Sequence, residues 1–240
     1  MAIASPLSNT VVTTRRPVVV LFDLDGTLAD TLDDVTSALN DALTSKGLPL
    51  VDRDMVRGYL GAGGTALAQA AVIRANDADT LKLIPEVHAR YLLSYHQCPV
   101  RHTRLYPGAR EILTTLANRD VTLGVCTNKV ASLAMPVLRS LGVEEAFGVI
   151  VCGDTIAHRK PSPEPVWHAL RAVGAQAADA WLVGDTVIDQ QSARASNATF
   201  IFANYGYGGA EVASPALSIS SLNELDKLFP DFTAASVTRF

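Results

Sequence analysis

The feature that most constrains the fold of this chain is a series of apolar runs that each end in polar residues. The first, Val18, Val19, Val20, Leu21 and Phe22, runs straight into Asp23 and Asp25 in "FDLDGTLADT". Five more follow: "VTLGVCTN" stops at Thr127 and Asn128, "FGVIVCGD" at Asp154, "AWLVGD" at Asp185, "TFIFAN" at Asn204, and "LSIS" near Ser220. Near-continuous β-branched runs are the mark of strands covered on both faces, and helical patterns separate them here. Together they predict an α/β fold with a doubly wound parallel sheet. Sheets of this kind bind ligands beyond the carboxyl ends of their strands. Asp23, Asp25, Thr127 and Asp185 are therefore expected to converge.

Between Asp30 and about Arg104 the pattern changes, because no comparable run appears and the periodicity becomes helical. This predicts a small inserted α-helical domain over residues 31–103, with residues 1–30 and 104–240 forming the sheet domain. Thr31 with Asp34 reads as a capping box, Leu32, Val35, Leu39 and Leu43 form one apolar stripe, and Gly47 can close that helix in a left-handed conformation. A second helix is expected from Pro85 through Val87, Tyr91, Leu92 and Tyr95. Between them, "GAGGTALAQA" reads either as a plain loop or as a cradle for an anion at a helix N-terminus.

Composition narrows the partners. With Lys+Arg 20 against Asp+Glu 24 there is no basic stripe for a phosphate backbone, so nucleic acid is not expected. The three cysteines (Cys98, Cys126, Cys152) are odd in number and lack metal spacing, which suits reduced thiols in a cytoplasmic protein. Arg15 and Arg16 precede an apolar stretch, but that stretch meets Asp23 too soon for an export signal, and residues 1–14 read as a frayed leader. No run approaches the 18 or so apolar residues of a membrane helix.

The chemistry lies in the acids. Asp23 and Asp25 are joined at one sheet end by Asp185 and Asp189 of "GDTVIDQQSA", and four carboxylates would repel strongly unless a divalent cation sits among them. Oxygen-only ligands favour Mg²⁺, which takes one or two carboxylates plus a substrate phosphate and so points to phosphoryl transfer. Asp23 suits the nucleophile and Asp25 the general acid/base. Lys160 in "HRKPSPEP" can neutralise phosphate charge, while Thr127 Oγ and the adjacent N–H groups, including that of Asn128, donate to its oxygens. Simpler readings stand beside these. Asp189 suits a helix N-terminus as a dipole-favoured acid, Asp154 suits a turn or cap, and the five histidines show no mutual ligand spacing. Tyr205 and Tyr207 shape a loop or reach the rim of the site.

The order "DLDGTLADT", "CTNK", "RKPSPEP", "GDTVIDQQSA" resembles the four motifs of the haloacid dehalogenase superfamily, in its magnesium-dependent phosphatase branch. The resemblance implies a Rossmann-like core and a helical cap that closes over the site. It also implies Asp23 as nucleophile, Asp25 as acid/base, Thr127 and Lys160 as phosphate ligands, and Asp185 with Asp189 around the metal. Asp25 would reach that metal through its backbone carbonyl. "VRGYLGAGGTAL", "YPGAREIL" and "ANYGYGG" are further similar to phosphoglycolate phosphatases, implying a small phosphorylated carboxylic acid as substrate. Arg57 and the amides around Gly61, Gly63 and Gly64 are then candidates for its second anion, against a solvated helix face for Arg57. The chain departs from the family with Asn197 in place of a usual glycine, Ser162 of an aspartate and Thr186 of a serine. Competing readings are a sugar-phosphate mutase or sugar phosphatase, a hydrolytic dehalogenase, which Asp25 counts against, and a phospho-accepting receiver domain, for which the chain is about twice too long.

Overall fold

The computed structural model describes residues 17–74, 80–209 and 211–229. The expected leader over residues 1–14 and the Arg15–Arg16 pair lie outside them. The chain begins with β1 (Val19–Phe22) and the short β2 (Ala29–Asp30), then enters four helices: α1 (Leu32–Thr44), α2 (Arg53–Tyr59), α3 (Gly64–Ile73) and α4 (Ile84–Gln97). It returns through β3 (Arg104–Leu105) to α5 (Ala109–Ala117), β4 (Thr122–Cys126), α6 (Ala131–Ser140), β5 (Val149–Val151) and α7 (Glu164–Ala172). The last elements are β6 (Ala180–Gly184), α8 (Val187–Ser196), β7 (Thr199–Ala203), β8 (Ser218–Ile219) and a 3₁₀ turn at Leu222–Leu228.

All six predicted strands form one parallel sheet in the order β5-β4-β1-β6-β7-β8. Side chains alternate across it, as the period of two requires. Val20 and Phe22 pack with Leu113 and Leu116 of α5 and Val137 of α6, while Val19 and Leu21 pack on the other face with Val166 and Leu170 of α7. Both faces are therefore dry, which is why β1 tolerates no polar residue before its end.

Helices α1 to α4 pack around a second buried cluster, which Leu133 of α6 joins. Leu32, Val35, Leu39 and Leu43 of α1 meet Val87, Tyr91 and Tyr95 of α4, so both predicted stripes bury as expected. Gly47 takes φ 66 just past the end of α1, the left-handed conformation expected of it. The connection to the sheet is a two-stranded antiparallel ribbon in which Ala29 pairs with Leu105 and Asp30 with Arg104.

The capping box at Thr31 and Asp34 does not form. Thr31 is the N-cap residue of α1 but makes no side-chain cap bond, and its hydroxyl donates to Asp25 Oδ1 at 2.5 Å. Asp34 instead accepts the amides of Arg101, His102 and Thr103 at 2.8–3.0 Å, and the Thr103 hydroxyl at 2.7 Å. Buried carboxylates attract donors more strongly than a neutral local cap does, so longer-range partners win.

Candidate active site

Strand register brings the acids together. Phe22 pairs with Val125 on one side and Val183 on the other, so β1, β4 and β6 end side by side at Asp23, Thr127 and Asp185. Asp185 closes β6, and Asp189 follows it in the first turn of α8. Asp23, Asp185 and Asp189 each present a carboxylate oxygen, these atoms lie within 4.8 Å of one another, and all three residues are buried. Lys160 Nζ lies 3.2 Å from Asp23 Oδ1 and 2.5 Å from Asp189 Oδ1.

The rest of each carboxylate is fixed by donors. Asp185 accepts from Thr27 Oγ1 at 2.9 Å and from the amides of Tyr207 and Gly208 at 2.8 and 3.2 Å. Asp189 accepts from the Thr186 amide and hydroxyl at 3.1 and 2.6 Å, closing the capping box of α8. Its expected roles as helix-end acid and as a member of the acidic cluster thus coincide in one side chain. Gly26, at φ 82 in the turn after Asp25, keeps the approach open, since a Cβ there would stand 2.3 Å from Asp185 Oδ2.

One ammonium does not offset three buried carboxylates. Burial pushes Asp23 up to about 6, with Lys160 opposing and Asp189 and Asp25 adding to the rise. Burial, then Asp189 and Asp23, push Asp185 up to about 7. Burial alone would depress the Lys160 ammonium, but Asp189 and Asp23 outweigh it and hold its pKa above the usual lysine range. An all-oxygen donor set with surplus negative charge fits a divalent cation, which would take the place of the protons these groups otherwise retain.

Asp25 keeps different company. Its carboxylate lies outside the cluster and accepts from Lys129 Nζ at 2.8 and 3.1 Å and from Thr31 Oγ1. Lys129 is the residue that sequence reasoning passed over: it is buried, and its ammonium stands 4.5 Å above the centre of the Tyr95 ring. A lysine inside "CTNK", at the end of a strand that is otherwise apolar, was the available sign.

Thr127 is buried at the end of β4, with Oγ1 accepting from the Lys129 amide at 3.2 Å. The Asn128 side chain forms a bridge, its Nδ2 donating to Gly61 O at 3.0 Å and Lys160 O at 2.9 Å. Gly63 and Gly64 line an inner cleft with Asp25, Lys129, Arg159 and His88. Arg57 is exposed and lines a separate open groove with Gly61, Thr186 and Tyr207. Asp154 caps α6 through the Ala131 amide at 2.7 Å. Tyr207 does more than shape its loop: its hydroxyl accepts from the amides of Thr31 and Leu32 and donates to Asp30. Asn197 adopts φ 66 at the end of α8, the conformation a glycine would supply there.

Comparison with known proteins agrees with this geometry. The chain matches the model of the family described as haloacid dehalogenase-like hydrolase over residues 20–203. A phosphoglycolate phosphatase of Rhodospirillum rubrum is 38% identical over 203 residues, covering 82% of this chain and 84% of the relative. An N-acetylmuramic acid 6-phosphate phosphatase of Pseudomonas putida is 31% identical, covering 78% and 83%. A solved structure of a predicted phosphoglycolate phosphatase from Haemophilus somnus superposes with a TM-score of 0.81 at 26% identity, covering 88% of this chain and 96% of that one.

Proposed function

The chain belongs to the haloacid dehalogenase-like hydrolase family, and from that footing we propose that it is a Mg²⁺-dependent phosphatase that hydrolyses 2-phosphoglycolate to glycolate and phosphate through an aspartyl-phosphate on Asp23. It is a phosphoric monoester hydrolase. The observation that carries the reading is the pairing of a buried Asp23 with Lys160 inside a cluster whose surplus negative charge calls for a cation. Asp23, Asp185 and Asp189 would hold Mg²⁺, with the Asp25 carbonyl as a further candidate, and the ion would supply charge neutralisation for the incoming phosphate.

The chain's own residues divide the remaining work. Lys160 draws a phosphoryl oxygen against Asp23, with Thr127 Oγ and the amides beside it, that of Asn128 included, as further donors. Asp23 forms a bond to phosphorus as the ester bond breaks, and Asp25 gives its proton to the leaving oxygen. Asp25 then takes a proton from water as that water attacks phosphorus and releases Asp23. A small phosphorylated metabolite is the expected partner. Among the described residues no helix is long and apolar enough to cross a membrane, and three unpaired cysteines support a reducing, cytoplasmic setting.

The test is a panel of phosphate esters assayed with Mg²⁺ and after exhaustive chelation. The expected result is a preference for 2-phosphoglycolate, silenced by chelation and restored by Mg²⁺ more than by Ca²⁺, whose looser coordination misplaces the reacting groups. A preference for N-acetylmuramic acid 6-phosphate or for hexose phosphates would overturn the substrate, return of the phosphoryl group to substrate would indicate a mutase, and full activity in chelator would overturn the metal.

A further inference from the structure

The cleft beside Asp25 carries positive charge that the phosphate does not require. It is narrow, with a cavity volume of about 20 Å³, so it admits only a small polar group beside Asp25. Lys129 and Arg159 of the sheet domain face Gly63, Gly64 and His88 of the inserted helices across it. Arg159 is anchored by Nε on the Gly153 carbonyl at 2.6 Å, and its Nη1 lies 3.5 Å from the point a Cβ on Gly63 would occupy. A Cβ on Gly64 would fall 3.1 Å from Tyr91 and 3.3 Å from His88 Nε2, so a side chain there would crowd this side of the cleft.

Distance then restricts the ligand. Asp25 must touch the leaving oxygen to protonate it, and Lys129 Nζ lies 2.8 Å from Asp25. Two of the three ammonium N–H bonds suffice for the Asp25 oxygens, leaving one for a group attached close to that oxygen. We propose that Lys129 and Arg159 form the subsite for a substrate carboxylate one carbon removed from the leaving oxygen, so that they, and not Arg57, select phosphorylated 2-hydroxy acids. This rests on the phosphatase reading above and adds to it the residues that set specificity.

The experiment compares kcat/KM for 2-phosphoglycolate with that for ethyl phosphate, in Mg²⁺, for the wild type and the Lys129→Met, Arg159→Gln and Arg57→Ala variants. Binding of 3-phosphonopropionate and propylphosphonate, which differ in the carboxylate and cannot turn over, is measured alongside. The expected result is a wild-type preference for the acid that falls tenfold or more in Lys129→Met and in Arg159→Gln, with a matching loss of affinity for 3-phosphonopropionate relative to propylphosphonate. Arg159 is partly exposed, so its variant keeps the test alive if Lys129→Met fails to fold. A preference retained in the folded variants, or lost only in Arg57→Ala, would overturn the subsite while sparing the phosphatase. A wild type without preference would overturn the substrate reading, and the subsite with it.

Discussion

Asp23 and Asp25 are two residues apart in the chain and sit in opposite electrostatic company. Asp23 shares Lys160 with Asp189 inside a buried cluster that also holds Asp185, whereas Asp25 pairs with Lys129 and Thr31. In the proposed mechanism Asp23, beside Lys160, attacks phosphorus and Asp25 transfers the proton. Asp25→Asn should reduce kcat/KM for an alkyl phosphate by about 10²–10⁴, roughly 3–5 kcal/mol, and reduce kcat/KM far less for an aryl phosphate, whose leaving oxygen needs no proton, because kcat/KM reports the step before the water attack that both esters share. Steady-state kinetics on both esters checks this, and equal losses in kcat/KM would remove the role of Asp25 as acid. At this scale the sequence was informative about acids and poor about their partners. The spacing of Asp23 and Asp25 after an apolar strand is visible in any reading. The Lys129–Asp25 pair spans 104 positions, and nothing local to either residue announces it.

Elements were legible where their periods were long. The stripe of α1, the Pro85 start of α4 and the six strands each follow from burial on a face that the residues themselves declare. The two-residue strands β2 and β3 carry no period at all, and the capping box at Thr31 failed because both of its side chains had better partners elsewhere. Asp34 is the clearest case. Although burial alone would raise its pKa, the Thr103 hydroxyl and the amides of Thr103, His102 and Arg101 lower it below the ordinary aspartate value. It thereby ties the first turn of α1 to the segment that returns the chain to the sheet. Asp34→Ala would strand buried amides and should destabilise the fold by about 2–4 kcal/mol, read as a lower urea midpoint with an unchanged slope. A midpoint unchanged from wild type would show that the clamp contributes nothing.

For the whole molecule, the buried acids make stability depend on pH and metal together. Asp23 and Asp185 rise from 3.8 to about 6 and about 7, so the folded state holds their protons more tightly than the unfolded chain does. Their contribution is present below pH 4 and is lost as pH climbs through about 6 to 7, at about 1.4 kcal/mol per unit of difference. Asp34 runs the other way, and its contribution is lost only as pH falls below its lowered value. In chelator, Tm should therefore decline between pH 5 and 8, and the rise produced by saturating Mg²⁺ should grow over the same range, because the cation replaces the missing protons. Calorimetry at several pH values checks the sign; a metal effect that shrinks as pH rises would contradict it. The account's central claim, that Asp23 itself becomes phosphorylated, is tested most directly by quenching the enzyme during turnover and reducing with borohydride, which converts an aspartyl-phosphate to homoserine identifiable by peptide mass spectrometry. The account predicts that conversion at position 23, and its absence in an Asp23→Asn variant that folds normally yet has no turnover; full turnover in that variant, or trapping at another residue, would contradict it.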